Sequence, residues 1–223
     1  MRSDGAETRQ HILQVAGRIF ADRGFARATS REICQTAGTN MAAVNYHFGG
    51  KDGLYDAVLV EAHSQLVRLD DLEAISASRL SHEEKLRTLI SLFVRRSSGP
   101  ALPWGLSVLV HELMAPSAHV PALMRQAVLP KVQVIASLIA QVLGVPNKHP
   151  LVQRSLALVV LPCIMLVIAP QEIIREVMPT LAANPDALID DMTAYAMAGL
   201  AAIRRLDSNT AKVLTRGSNP RRR

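Results

Sequence analysis

The sequence predicts an all-α fold in which a small N-terminal module of three helices precedes a larger helical body, with about nine helices in all. Apolar residues recur at three- and four-residue intervals, and no segment shows the alternation of a half-buried strand. Capping residues, glycines and prolines stand where helices of ordinary length begin and end. With 49% hydrophobic and 20% charged residues, a chain of 223 residues can bury a core. This composition excludes a disordered or fibrous chain.

The first predicted helix carries one apolar stripe. Its members recur at the spacing of a single helical face and are Ile12, Val15, Ala16, Ile19 and Phe20. Gly24 follows the stripe, where a glycine commonly ends a helix. The stripe predicts a helix that braces the rest of the N-terminal module with one side.

Two short helices follow, joined by a tight turn at Gly38. Thr29 and Glu32 have the spacing of a capping box, which predicts the start of the second helix. Asn40 is placed to cap the third helix. Two short helices joined in this way, with a first helix behind them, predict a helix-turn-helix over about residues 30–49.

Helix signals continue along the rest of the chain. A long fourth helix is predicted to begin at Lys51, and the Ser81–Glu84 capping box opens another. Further helices are predicted to begin at Pro103, Pro121, Pro150 and Pro185. We expect Pro130 and Pro162 to interrupt or kink the helices that contain them.

The basic charge of the chain lies mostly in its last residues. The formal charge is +6 and the pI about 9.8, values that favour a nucleic-acid partner. Residues 212–223 hold five Lys+Arg and no acid, which leaves 20 Lys+Arg against 19 Asp+Glu elsewhere. The tail has three interpretations: disorder without function, added nonspecific DNA affinity, or residues left from cloning. Disorder is preferred, because the Gly-Ser-Asn-Pro run at 217–220 cannot sustain a helix.

The outer face of the third helix is predicted to enter the major groove of DNA, which admits one α-helix. The residues on or near this face are Met41, Ala42, Ala43 and Asn45. Of these, only Asn45 can hydrogen-bond a base edge through its side chain, and the alanines would allow contact with thymine methyls. Donors suited to phosphate are Thr29, Tyr46, His47, Lys51 and the amides at the helix starts, including the one that Asn40 caps.

These residues carry a family resemblance. The stretch from Thr29 to Tyr55, above all Tyr46-His47-Phe48-Gly49-Gly50-Lys51, resembles the DNA-binding domain of the tetracycline-repressor (TetR) family over residues 8–55. In that family the residues corresponding to Thr29, Tyr46, His47 and Lys51 grip phosphates. Asn45 departs from the family pattern, which commonly has Tyr or Phe there.

A second resemblance lies in the body. Residues 104–145 contain His111-Glu112-Leu113, Ala115-Pro116-Ser117 and Leu129-Pro130 and are similar to the ligand-binding half of the CecR/YbiH-like branch of the family. Together the resemblances imply a cytoplasmic, ligand-responsive transcriptional repressor. Its partners would be double-stranded DNA with a palindromic operator, a second copy of the chain, and a small hydrophobic or amphipathic effector. Neither a cofactor nor a membrane is implied.

The last predicted helix can supply the dimer contact. One heptad-like stripe consists of Leu188, Met192, Tyr195, Gly199, Ala202 and Leu206. A second apolar side consists of Ile189, Ala196, Leu200 and Ile203. A helix that is apolar on two sides is expected to be buried on both, by its own body and by a partner.

The effector cavity is the least defined prediction. Its candidate lining residues are Trp104, His111, Glu112, Met114, Met124, Cys163 and Met165, and at helical spacing the same residues can be ordinary core. His111-Glu112 begins like the HExxH zinc motif, but residue 115 is Ala, so no metal site is predicted. Cys34 and Cys163 are too few for a disulfide framework, and we expect buried thiols rather than redox sensors.

The predicted domains are therefore 1–55 for DNA binding, 56–207 for effector binding and dimerisation, and 208–223 as the tail. The N-terminus has no apolar signal segment, and Leu156–Ala169 is shorter than the ~20 residues of a membrane helix.

The sequence leaves two other function classes open. A helical-bundle enzyme would need a nucleophile, base and orienting group that the sequence does not suggest. A DNA-binding architectural protein without an effector is the remaining alternative.

Overall fold

The computed structural model describes residues 2–98 and 104–217, and within these ranges the regular structure is helical throughout. The chain divides into two compact units. Unit 1 comprises Met1–Asp70 and Pro100–Lys131, and unit 2 comprises Asp71–Gly99 and Val132–Arg223. This division differs from the predicted boundary at residue 55, because the fourth helix and the residues after 104 pack with the N-terminal helices.

Unit 1 is built around its first and fourth helices. Its elements are α1 (Arg2–Arg27), α2 (Ser30–Thr36), α3 (Met41–Phe48), α4 (Lys51–Leu66), α7 (Gly105–Met114), α8 (Val120–Leu123) and a π-helical turn (Met124–Val128). The predicted stripe of α1 is the core, with Ile12, Ala16 and Phe20 fully buried. α4 packs on both α1 and α7, and the Phe20 and Tyr55 rings meet edge to face at 4.8 Å.

Unit 2 is organised by α6, α10 and α13, which pack on one another. The elements that lie wholly or mostly in it are α5 (Leu69–Ala77), α6 (His82–Ser98), α9 (Leu129–Leu143), α10 (Pro150–Ile168), α11 (Gln171–Val177), α12 (Pro179–Ala183) and α13 (Pro185–Gly217). Arg87 and Asp190 pair at 2.7 Å, as do Arg95 and Asp186, and both pairs join α6 to α13. Because all four side chains are exposed, these pairs add little stability beyond the apolar packing.

Several predicted helix starts are confirmed by their caps. Thr29 accepts a hydrogen bond from the Glu32 amide at 3.2 Å. Ser81 and Glu84 bond reciprocally, with the Glu84 amide donating to the serine Oγ and the Ser81 amide donating to the glutamate. Asn184 accepts from the Ala187 amide at 3.1 Å. Local sequence therefore determines where these helices begin, since the capping bonds involve residues only three positions apart.

The described part of the chain has more helices than the nine predicted. The additional ones are α5, α11 and α12, which have at most nine residues each. Such short elements owe their stability to packing, so periodicity does not reveal them. Pro130 does not break its helix. A π-helical turn precedes it, ending at Leu129, whose amide donates to the Met124 carbonyl, and the helix then continues. Pro162 likewise lies inside an unbroken α10.

The C-terminal end of the chain differs from the expected disorder over part of its length. α13 continues to Gly217, so the backbone of residues 208–217 is helical. The remaining residues of the predicted tail, 218–223, lie outside the described residues.

Two described segments, Val120–Leu143 and Pro150–Ile168, are long and apolar enough to cross a membrane by length and composition alone. Core helices of globular proteins have the same composition. In α10 one side is covered within unit 2, where Val152, Val159 and Cys163 are buried. The apolar character of α10 therefore has an explanation in core packing.

Candidate nucleic-acid interface

The recognition helix α3 is held from its inner side. Ile33 of α2 and Val44 of α3 are almost completely buried, and Ala37 at the end of α2 is 8% exposed. The Asn40 carboxamide accepts a hydrogen bond from the Ala43 amide at 3.0 Å, as the sequence predicts for a cap. Burial of one face and a fixed start together orient the opposite face outward.

The outer face of α3 consists of residues one turn apart. Met41, Ala42, Asn45 and Tyr46 are all exposed, and the Tyr46 side chain is 85% exposed. Ala43 differs from the prediction: it is partly buried against the core of unit 1 and does not belong to this face. Cys34 is buried, and its thiol lies 3.6 Å from the Met41 sulfur, which ties the start of α3 to α2.

The residues predicted to contact phosphates differ in their exposure to solvent. Thr29 and Tyr46 are exposed, while His47 is half-buried, with its ring 4.9 Å from the ring of Tyr46. Lys51 is also half-buried. Its ammonium donates to the Phe25 carbonyl oxygen at 2.7 Å and lies 4.3 Å above the Phe25 ring. Part of the donor capacity of Lys51 therefore holds α1 against α4, which the sequence does not reveal.

Arg9 is a basic residue that sequence reasoning missed. Its guanidinium lies 4.9 Å over the ring of Phe48, the last residue of α3. A cation–π contact of this kind stabilises the end of the recognition helix and places a positive charge beside it. An arginine in the first helix and an aromatic residue near position 48 are ordinary features, so no local signal marks the pair.

Two of the predicted effector residues serve the packing of unit 1. Trp104 is 4% exposed, and its indole nitrogen donates to Gln14 at 2.9 Å. Glu112 is 5% exposed and accepts from the Tyr55 hydroxyl at 2.9 Å and from the amide and hydroxyl of Ser117. Burial and this bond raise the pKa of Tyr55 well above its usual value, so the hydroxyl remains a donor.

The other five effector candidates are dispersed. His111, Met114 and Met124 are exposed on unit 1. Met165 is 58% exposed and belongs to unit 2, as does the buried Cys163. Burial raises the pKa of the Cys163 thiol to about 11, which makes it unreactive at neutral pH. Within the described ranges, no three His, Cys, Asp or Glu side chains come together in a way that could hold a metal ion.

A polar pair in unit 1 joins His63 of α4 to Lys131 in the first turn of α9. The ammonium of Lys131, which is 4% exposed, lies 2.8 Å from His63 Nδ1 and donates to the His63 carbonyl oxygen at 3.1 Å. That carbonyl is in the last turn of α4, where orphan acceptors favour a cation. Burial lowers the pKa of Lys131 to about 8, and burial together with the Lys131 charge lowers the pKa of His63 to about 4.

This pair predicts two pH windows of stability. Between pH 6.5 and about 4 the unfolded chain protonates His63 and the folded chain does not, so the free energy of unfolding falls with falling pH. Between about pH 8 and 10.5 only unfolded Lys131 keeps its proton, so stability rises with pH. Each shift corresponds to at most roughly 3 kcal/mol.

Urea unfolding of Lys131→Met against pH measures the second window. We expect the variant to lose the alkaline rise, because the titrating group is gone. Lys85→Met is the matched control, since Lys85 is also buried and donates to the Ser76 carbonyl oxygen in unit 2 at 2.8 Å. A rise that persists in Lys131→Met and disappears in Lys85→Met would contradict the assignment.

The predicted dimer stripe on α13 is partly exposed in the single chain. Tyr195 is 79% and Leu206 67% exposed, while Leu188, Met192, Gly199 and Ala202 are half-buried. The second apolar side faces the interior of unit 2, where Ile189 and Leu200 are buried. α13 thus buries one apolar side itself and leaves the other partly exposed, and burial of that side by a partner stays a prediction.

The chain matches known regulators over its N-terminal part. Residues 12–58 match the model of the family described as bacterial regulatory proteins, tetR family. The HTH-type transcriptional regulator TtgR of Pseudomonas putida is 36% identical over 75 residues, 32% of this chain and 36% of TtgR. AcrR of Shigella flexneri is 33% identical over 69 residues, 31% of this chain and 32% of AcrR. The chain thus aligns with about a third of the length of these relatives.

Solved structures resemble the fold over most of the chain. The fatty acid degradation regulator FadR from Bacillus halodurans has a TM-score of 0.63 at 13% identity, covering 85% of this chain and 98% of FadR. A TetR-family regulator from Mesorhizobium loti has a TM-score of 0.58 at 14% identity, covering 89% and 97%. The relatives and the fold neighbours are transcriptional regulators, not enzymes. Over residues 12–58 the chain is therefore similar to the tetR family of bacterial regulatory proteins, and over most of its length it shares the fold of the solved structures.

Proposed function

We propose that this chain is a ligand-responsive repressor that binds a palindromic operator as a homodimer and is released by a small-molecule effector. The observation that carries the proposal is the exposed outer face of α3, with Asn45 and Tyr46 on it and the opposite face buried. A helix presented in this way fits the major groove. We place the repressor in the cytoplasm, where its DNA target lies.

The low net charge of the DNA-binding module fits DNA recognition through individually positioned hydrogen-bond donors. Residues 1–55 contain seven Lys+Arg and five Asp+Glu, so the module has little net charge. Nonspecific attraction to phosphates grows with the number of cations at the interface and is therefore modest here. Operator affinity would rest on hydroxyls, amides and a few cations, which position the helix, and on Asn45, which is the candidate for base contact.

Effector control would act through α4. This helix begins directly after the recognition helix and packs on α1 and α7 within unit 1. An effector that favours one arrangement of these helices would change the separation of the two recognition helices in the dimer. Effector and operator affinities must then be coupled reciprocally, typically by about 1–3 kcal/mol. The effector would be small and hydrophobic or amphipathic, and the sequence similarity at 104–145 favours the CecR/YbiH-like branch.

Selection of random duplex DNA by the purified chain tests the proposal. A palindromic consensus with half-sites roughly 34–36 Å apart is expected, since each protomer presents one helix. A thermal-shift screen of small hydrophobic compounds, followed by binding to the selected duplex, tests the effector. A compound that stabilises the protein without changing its affinity for the duplex would contradict ligand-controlled release.

Asn45→Ala is expected to relax sequence preference at one position of each half-site. If the carboxamide bonds a base at two points, discrimination there falls by about 1–3 kcal/mol. Tyr46→Ala should instead weaken binding to the selected and the random duplex alike, because a phosphate contact carries no sequence information. Fluorescence anisotropy with both duplexes measures the difference. Equal losses on the two duplexes for Asn45→Ala would contradict its role in base recognition.

A further inference from the structure

His119, the residue before α8, lies against the junction of α1 and α4. Its Nδ1 is 2.7 Å from the Asp56 carboxylate and its Nε2 is 3.6 Å from that of Asp52. The His119 side chain is 12% exposed, so most of the ring is withdrawn from water. Asp52 and Asp56 are four residues apart on α4, where two like charges repel unless a cation lies between them. An imidazolium donates from both nitrogens and can serve both carboxylates.

Aromatic rings hold the imidazole from the other sides. The ring of Phe25 lies 4.7 Å away and that of Tyr55 5.0 Å away, both edge to face. Phe25 follows Gly24, where the backbone of α1 leaves the helical conformation with φ 69°. The carbonyl of Phe25 accepts from Lys51, the first residue of α4. His119 therefore contacts both ends of the chain segment that contains the helix-turn-helix.

The backbone around His119 is also fixed. Its amide donates to the Ser117 hydroxyl at 3.1 Å, and that hydroxyl donates to the buried Glu112 carboxylate at 2.6 Å. Glu112 accepts in turn from Tyr55 of α4. A closed set of hydrogen bonds thus connects α4, the end of α7 and the start of α8. The charged groups that contact the imidazole are Asp52 and Asp56 of α4, and the Lys51 ammonium lies over the ring of Phe25, which the imidazole also contacts.

We propose that His119 is a positioning residue for DNA binding, which fastens the start of α8 to the α1–α4 junction and so sets the orientation of the helix-turn-helix. The inference rests on the proposed function, since it concerns operator affinity. The imidazole holds this arrangement through its contacts with the two carboxylates of α4. Operator affinity then depends on a residue outside the helix-turn-helix.

The test compares His119→Gln and Asp56→Asn with the wild type on the duplex that the wild type selects. Each variant is expected to bind about tenfold more weakly, the effect of losing one charge-assisted hydrogen bond. The double variant His119→Gln/Asp56→Asn should bind no more weakly than either single variant, because both changes remove the same contact. His111→Gln is the matched control, because His111 is an exposed histidine on α7.

Hydrogen exchange separates this inference from the proposed function. In His119→Gln the amides at the start of α4 should exchange faster than in the wild type, whether or not a duplex has been selected. If the wild type selects no duplex but His119→Gln still speeds exchange at the start of α4, the repressor proposal fails, while the contact of His119 with the α1–α4 junction stands. If both affinity and exchange in His119→Gln match those of His111→Gln, the positioning role is wrong.

Discussion

Gly53→Ala is expected to abolish operator binding by displacing the recognition helix. Gly53 lies in the first turn of α4, and a Cβ at this position would run into the carbonyl oxygen of Phe48, the last residue of α3. A backbone carbonyl cannot move aside by changing rotamer, so the turn between α3 and α4 must open. Overpacking of this kind costs about 1–3 kcal/mol, and a backbone contact favours the upper end.

The loss of affinity should exceed the loss of stability. The recognition helix is held by its contacts with α2 and by its junction with α4, and a small rotation moves its outer face out of register with the groove. Urea unfolding and binding to the selected duplex measure the two effects separately. Gly5→Ala is the matched control on α1, because a Cβ there meets nothing within 4 Å. It should leave binding unchanged and stability equal or slightly higher. If Gly53→Ala binds the selected duplex as tightly as the wild type does, the α3–α4 junction does not orient the recognition helix.

Tyr195→Glu is expected to convert the proposed dimer into a monomer. The Tyr195 side chain is 79% exposed in the single chain, so a charge there costs the monomer little. In a two-fold symmetric interface each substitution appears twice, and two buried carboxylates would face each other across the axis. Because unpaired buried charges are strongly unfavourable, the dissociation constant of the dimer should rise about a hundredfold or more.

Sedimentation velocity and duplex binding measure this effect together. A monomer contacts one half-site only, so its affinity for the palindrome should fall with the loss of the second recognition helix. Ala201→Glu is the matched control: Ala201 is exposed on α13 but faces away from the stripe that contains Tyr195 and Leu206. If Tyr195→Glu remains dimeric, or if Ala201→Glu dissociates equally, the stripe is not the dimer interface.

The helix-turn-helix was predictable because its determinants are local. Thr29 and Asn40 cap helices through amides three residues away, and Ile33 and Val44 follow from apolar spacing. The same local signals placed Asn45 on or near the outer face, where it is exposed. Ala43, predicted on or near the same face, is partly buried against the core of unit 1, which only the packing of α3 determines.

The division into two units could not be predicted from the sequence. Helices α7 and α8 and the π-helical turn belong to unit 1 although residues 67–104 separate α7 from α4. Their apolar residues recur at helical spacing, but this spacing does not indicate which other helix buries them. Trp104 illustrates the point: its sequence context suggests a cavity wall, and the structure packs it against Gly17 and Gln14 of α1.

By itself, the sequence determined the all-helical class, the caps, the recognition helix and the two-sided character of α13, since each depends on residues within a few turns of one another. The tertiary structure decided which residues, distant in sequence, form hydrogen bonds and ion pairs with the buried polar groups. Lys51 bonds the Phe25 carbonyl, Glu112 bonds Tyr55, and His119 lies between the carboxylates of α4. Buried polar groups require partners, and only the packing of distant helices determines which partners they find.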